Sequence, residues 1–157
     1  YNLAENFKYQ NPSKLTDFNS GVICFPGNFE DIKEKDYTEV RLTNLANYSL
    51  WKSHYPDKEK YNDYKKQSAS NSLQAVEKII GNFTHNIVYQ DTFTPMTIKR
   101  YTSKKDGAIY GSPMKIKDGD IGYTNLFLAG TDQGFMGIIG SMLSGVSIAN
   151  QHLLPKI

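Results

Sequence analysis

A chain of 157 residues is the length of one domain and long enough to bury a core. Its 18 Lys and Arg against 16 Asp and Glu leave a formal charge of +2, which argues against a dedicated nucleic-acid binder, because such proteins carry a strong basic excess. A lone cysteine, Cys24, excludes an intrachain disulfide and with it a stapled secreted scaffold, while 11 Tyr and 8 Phe exclude the aromatic-poor composition of chains that stay disordered.

In chain order, residues 1–20 are polar and aperiodic. Tyr1 is not preceded by Met or followed by a basic-then-apolar leader, so the chain is expected to begin at a cut end, with any targeting signal lost. Gly21-Val22-Ile23-Cys24-Phe25 is a short apolar run closed by Pro26-Gly27, which predicts a buried strand and a turn. Cys24 is expected to be an inert core thiol, in keeping with a reducing compartment. Residues 28–35 are expected to form a charged loop. Residues 38–43 alternate polar and apolar and predict a half-buried strand, which 45–51 extends or turns out of. Asp57 can cap a helix that runs through Tyr61, Tyr64, Leu73, Val76, Ile79 and Ile80 to Gly81. The Ser/Asn cluster at 68–72 is a candidate break in it. Residues 86–90 predict a strand, Thr94-Pro95 a turn or short helix, and 104–107 and 117–120 turns. Residues 126–129 predict a short strand, 130–136 a glycine-containing loop, and 137–153 a helix ended by Pro155. Strands mixed with isolated helices predict an α+β fold.

Charge is unevenly placed along this order. Beyond Asp120 the only charged residues are Asp132 and Lys156. A stretch so poor in charge is normally buried, and an unpaired buried carboxylate is costly. Asp132 therefore needs a hydrogen-bonding partner, from the protein or from a ligand. Residues 134–151 reach the minimum length of a membrane span, but their Gly, Ser, Asn and Gln and the absence of a basic anchor argue against one. The break divides the chain into a region 1–120 and a closing segment 121–157.

Strand, glycine loop, helix is an arrangement that points backbone N–H groups at a ligand. The first helical turn has unpaired donors, and the macrodipole makes that end partly positive. Gly130, Gly134, Gly137 and Gly140 clear side chains from the approach. Along the helix, Ile139, Met142, Leu143, Val146, Ala149 and Leu153 follow core spacing. Gly137, Ser141, Ser144, Gly145 and Ile148 form a mostly small stripe that admits a backbone or a flat ring. Ordinary tight packing against a neighbouring element explains the small stripe equally well. The loop is neither a P-loop nor a GxGxxG fingerprint.

Tyr123-Thr124-Asn125-Leu126-Phe127-Leu128-Ala129-Gly130-Thr131-Asp132, then Gly137-Ile138-Ile139-Gly140, resembles the C-terminal flavin-binding segment of the FAD-dependent phytoene desaturase and carotenoid isomerase superfamily, most closely its retinol saturase branch. Thr94-Pro95-Met96-Thr97, Tyr101 and Asp106-Gly107-Ala108-Ile109-Tyr110-Gly111 are similar to a series ahead of the family's last strand. The resemblance extends to Leu45-Ala46-Asn47-Tyr48 and Trp51. It implies the C-terminal part of a flavin-dependent amine-oxidase-like fold, an antiparallel substrate-side sheet with helices plus the segment that closes the FAD site. The N-terminal dinucleotide-binding domain of the same chain, with its GxGxxG, is missing, so a fragment inactive by itself is expected.

By position, Gly130 would give backbone room, Asp132 would accept from a ribityl hydroxyl, and Thr131 between them would belong to the same cofactor site. The N–H groups of Gly137 and Ile138, with Gly140 behind them, would face the flavin's pyrimidine edge. Phe135, Met136 and Tyr110 would lie near the substrate, an apolar polyene or lipid whose C=C bonds are reduced, formed or isomerised. Phe135 and Met136 are, first, expected core residues. A cytoplasmic enzyme that touches a membrane surface through Lys99, Arg100, Tyr101, Lys104 and Lys105 is implied, although a solvated face accounts for that basic patch. Exposed tail surface would make the fragment dimerise or aggregate.

Two other readings stay open: an interaction module without chemistry, and an amine or amino-acid oxidase relative. No catalytic acid or base stands out. His54, His85 and His152 lack metal-ligand spacing. Asn47-Tyr48-Ser49 and Asn82-Phe83-Thr84 match glycosylation sequons.

Overall fold

The computed structural model describes residues 1–4, 12–28, 36–112 and 114–156. Most of the charged loop expected at 28–35 lies outside the described residues. Contacts divide the chain into two compact units, Tyr1–Tyr101 and Thr102–Ile157. The compositional break after residue 120 falls inside the second. Helices and two separate two-stranded antiparallel sheets make the protein α+β.

In the first unit, β1 (Val22–Cys24) ends at a 3-10 turn, Pro26–Asn28. It pairs with β2 (Arg41–Thr43) in the register Val22 to Thr43 and Cys24 to Arg41. The expected strand at 38–43 is thus half as long as its alternation suggests. Cys24 is half-buried rather than a core residue.

Residues 45–51 turn out of the strand into a helix, α1 (Tyr48–His54). Asn47 starts it. Its Oδ1 accepts from the Leu50 N–H at 3.1 Å, while its Nδ2 donates to the Pro12 carbonyl at 2.7 Å. One side chain therefore caps the helix and ties it to the preceding segment.

The long helix α2 (Lys58–Ile80) has the expected ends. Asp57 Oδ1 accepts from Lys60 N–H at 3.1 Å, and Gly81 terminates the helix at φ +88°. The Ser/Asn cluster does not break it. Ala69 is buried there, and the Ser72 hydroxyl donates to Asn44 Oδ1, so tertiary bonds offset the weak helix propensity of these residues. Trp51, 2% exposed, forms the core with Tyr61 and Val76. Its Nε1–H donates to the Leu15 carbonyl at 2.9 Å, and its ring meets Tyr61 edge-on at 5.6 Å. The Tyr61 hydroxyl bonds Thr94 Oγ1, just ahead of α3 (Pro95–Thr102).

The strand expected at 86–90 does not form. The chain makes a 3-10 turn at Thr84–Asn86 and then runs on with Val88 at 91% and Tyr89 at 80% exposure. Glu77 holds that turn: its carboxylate accepts from Thr84 Oγ1 at 2.6 Å, Thr84 N–H at 3.0 Å and Phe83 N–H at 3.2 Å. β-Branched and aromatic residues favour a strand only when a neighbouring strand completes the ladder.

In the second unit, β3 (Asp120–Tyr123) and β4 (Leu126–Phe127) form a short irregular hairpin. Its turn puts Asn125 at φ +58°. A loop leads to α4 (Gly137–Ile148), which continues through a π turn, Ala149–Leu153, and a 3-10 turn, Leu154–Lys156. No helix among the described residues is long and apolar enough to cross a membrane.

The face that α4 buries is the reverse of the expected one. Ser144 and Ile148, on the small stripe, are buried. Ile139, Met142, Leu143, Val146 and Leu153, spaced like core residues, are 52–74% exposed. The cause is backbone proximity. A Cβ at Gly119 would collide with Ile148, and Ser144 reaches the loop backbone directly. Gly119, without a Cβ, leaves room for the large Ile148 side chain, and Ser144 spends its hydroxyl on the loop, so these two residues face inward.

Candidate functional site

The site is built on the loop between β4 and α4. Gln133, only 2% exposed, anchors it. Its Nε2 donates to the Lys117 carbonyl at 2.8 Å, and its Oε1 accepts from the Ser144 hydroxyl. Ser144 Oγ in turn accepts from the Gly130 N–H at 2.6 Å. This chain of bonds, with Ile116 N–H donating to the Asp132 carbonyl at 3.0 Å, fixes the loop against α4. Neither Gln133 nor Ser144 was singled out by sequence as a polar anchor. The signal available was that an amide and a hydroxyl lie in a charge-free stretch, where they must bond each other or the backbone.

Asp132 is half-buried, and its Oδ1 accepts from the Ser112 N–H at 2.6 Å. It forms no ion pair among the described residues. The required partner is thus a backbone amide, which leaves Oδ2 as an acceptor for a further donor. Gly111, at φ +76°, makes room for it: a Cβ there would land on the carboxylate. Lys115 Nζ bridges the Tyr110 carbonyl at 2.7 Å and the Thr131 carbonyl at 2.9 Å, so the Tyr110 segment and the glycine loop are held side by side.

Between them lies an open groove of about 560 Å³ lined by Ile109, Tyr110, Thr131, Gly137, Ile138, Ser141 and Met142. Four of the expected site residues, Tyr110, Thr131, Gly137 and Ile138, meet there. Ile109, Ser141 and Met142 were not among the expected site residues, although Ser141 lies on the small stripe expected to admit a flat ring. Gly130, Asp132 and Gly140 belong to the loop and helix but do not line the groove. Phe135 and Met136 also stay outside its lining, and at 41% and 63% exposure they are not core residues. The Phe135 backbone instead packs on Gly140, where an added Cβ would come within 3.0 Å of it.

The amino end of α4 opens beside the groove. Met136 is its N-cap and supplies no side-chain bond. Gly137, at φ +76°, has open space where a Cβ would stand. First-turn N–H groups and the positive end of the helix dipole are therefore available to an electron-rich edge. The groove thus sets apolar side chains beside the amino end of α4.

Outside this site the remaining candidates have structural roles. His152 Nε2 bonds the Asp118 carbonyl at 2.7 Å and its ring stacks on Phe127 at 4.0 Å. Lys99 Nζ donates to the Tyr48 hydroxyl at 2.8 Å, and the Arg100 guanidinium lies 5.6 Å from the Tyr101 ring. The Asn47 amide is committed to capping, whereas Asn82 is exposed. No group of three metal-ligating side chains occurs among the described residues. Comparison of the chain with family models, curated proteins and solved structures finds no match.

Proposed function

We propose that the chain is the C-terminal part of a FAD-dependent oxidoreductase acting on the C=C bonds of an isoprenoid polyene, and that the groove beside α4 receives part of the flavin. The observation that carries this reading is the uncapped amino end of α4 opening onto an apolar groove, with the Asp132 carboxylate fixed on the loop that leads into the helix.

The residues present fit such a group. Gly137 and Ile138 N–H would donate to the pyrimidine edge, where the helix dipole favours negative charge. Asp132 Oδ2 would accept from a ribityl hydroxyl, with Oδ1 kept in place by Ser112. Ile109, Ile138 and Met142 would exclude water. When bound, FAD supplies hydride transfer. The chain's own task is to bind, orient and polarise it, and to leave the apolar side open for a substrate without charge.

The test is the complete gene product. It should purify yellow with a flavin absorbance band, and Asp132→Ala should weaken flavin retention about tenfold or more, the loss expected for one charge-assisted hydrogen bond. A colourless product whose complete sequence holds a dinucleotide-binding strand–GxGxxG–helix would refute the reading. The exposed apolar side of α4 favours a second reading, a binding module without chemistry. That reading expects a colourless product with a specific partner.

A further inference from the structure

One wall of the groove has no helix or strand of its own. Tyr110, Gly111 and Ser112 are irregular chain, with Gly111 at φ +76°. Among the described residues, two charged side chains tie this stretch to the glycine loop. The Asp132 carboxylate accepts from Ser112 N–H at 2.6 Å, and the Lys115 ammonium donates to the Tyr110 carbonyl at 2.7 Å. The same ammonium donates to the Thr131 carbonyl at 2.9 Å. Tyr110 and Thr131 both line the groove, and Lys115 does not.

The neighbours of Lys115 do a simpler job. Ile116 N–H donates to the Asp132 carbonyl at 3.0 Å, and the Lys117 carbonyl accepts from Gln133 Nε2 at 2.8 Å. Those two bonds reach the loop only. Lys115 reaches the loop and the opposite wall together, its stem passing Gly134, where a Cβ would stand 3.9 Å from its own. No carboxylate accounts for the charge: Lys115 is half-buried and forms no ion pair among the described residues. An ammonium carries three donors and no acceptor, and two of the three are spent on carbonyls of groove residues. Holding so long a side chain in one geometry costs rotamer freedom, which charge-assisted bonds offset. An apolar side chain at this position would pack on the loop but could hold neither carbonyl.

We propose that Lys115 is the positioning residue of the groove: its ammonium clamps the Tyr110 and Thr131 carbonyls and so fixes the spacing of the walls that receive the ligand. It acts through those two residues. The inference rests on the flavin reading for the identity of the ligand, and on the hydrogen bonds alone for the clamp.

The first arm of the test needs no ligand. Amide hydrogen exchange of the 157-residue chain is followed by NMR in the wild type, Lys115→Met and Lys115→Arg. Met keeps an unbranched stem without donors, and Arg keeps cationic donors. Two amides report the walls: Ser112 N–H, bonded to Asp132, and Gln133 N–H, which closes the turn through Thr131 on the Gly130 carbonyl. Both should exchange at least tenfold faster in Lys115→Met, while amides of residues 1–101 keep their rates. Lys115→Arg should return both towards the wild-type rate. If Lys115→Met unfolds the second unit as a whole, Lys115→Gln is judged by the same criteria. In the complete gene product, Lys115→Met should loosen bound FAD about tenfold and Lys115→Arg should restore it. Unchanged exchange in Lys115→Met, acceleration at only one of the two amides, or an Arg variant as fast as the Met variant would overturn the proposal. So would a yellow product whose FAD retention ignores Lys115→Met. A colourless product sinks the flavin reading alone, and the exchange rates then decide the clamp by themselves.

Discussion

Glu77, in the last turn of α2, accepts three hydrogen bonds from Phe83 and Thr84 beyond the helix, and its carboxyl is held below the usual carboxylate range, first by the Thr84 hydroxyl and then by the Thr84 N–H. A carboxyl with a depressed native value binds its proton more readily in the unfolded chain. Its contribution is therefore present at neutral pH and is lost as pH falls through the native value. Urea midpoints of the wild type should drop between about pH 6 and pH 3 more steeply than those of Glu77→Gln, whose side chain does not titrate. Parallel curves would show that the carboxylate adds nothing. In the second unit, Ser144→Ala removes the acceptor of Gly130 N–H and the donor to Gln133 Oε1, both in a region sealed from water. A loss of about 1–3 kcal/mol in unfolding free energy is expected from urea titration. Gly111→Ala should cost a similar amount, because its added methyl meets the Asp132 carboxylate at a positive φ.

At the scale of elements, helix ends carry much of the specification. Asp57→Ala should lower stability by about 1 kcal/mol, and Asn47→Ala by somewhat more since it also releases Pro12, both read as urea midpoints. α2 was legible in the sequence because Asp57 and Gly81 mark its two ends and an apolar period runs between them. α1 was not, because Asn47 looks like one more polar residue until its amide is seen to bridge two segments. The 86–90 segment misled because strand propensity is local, while the ladder that realises it depends on a partner far along the chain. The glycine loop and α4 were legible as elements. Which side of α4 faces inward was not: apolar period and burial part company where Gly119 leaves room for the Ile148 side chain and the loop backbone takes up the Ser144 hydroxyl. Asp132 was correctly marked as needing a partner, yet only the fold could supply Ser112.

Trp51 is the single tryptophan, and it lies buried in the first unit. Indole emission therefore reports melting of residues 1–101 and is blind to the rest, whose fluorophores are tyrosines such as Tyr110 and Tyr123. Selective excitation of that one ring, overlaid on the ellipticity of all the helices, makes the protein its own two-channel probe of whether both halves give way together.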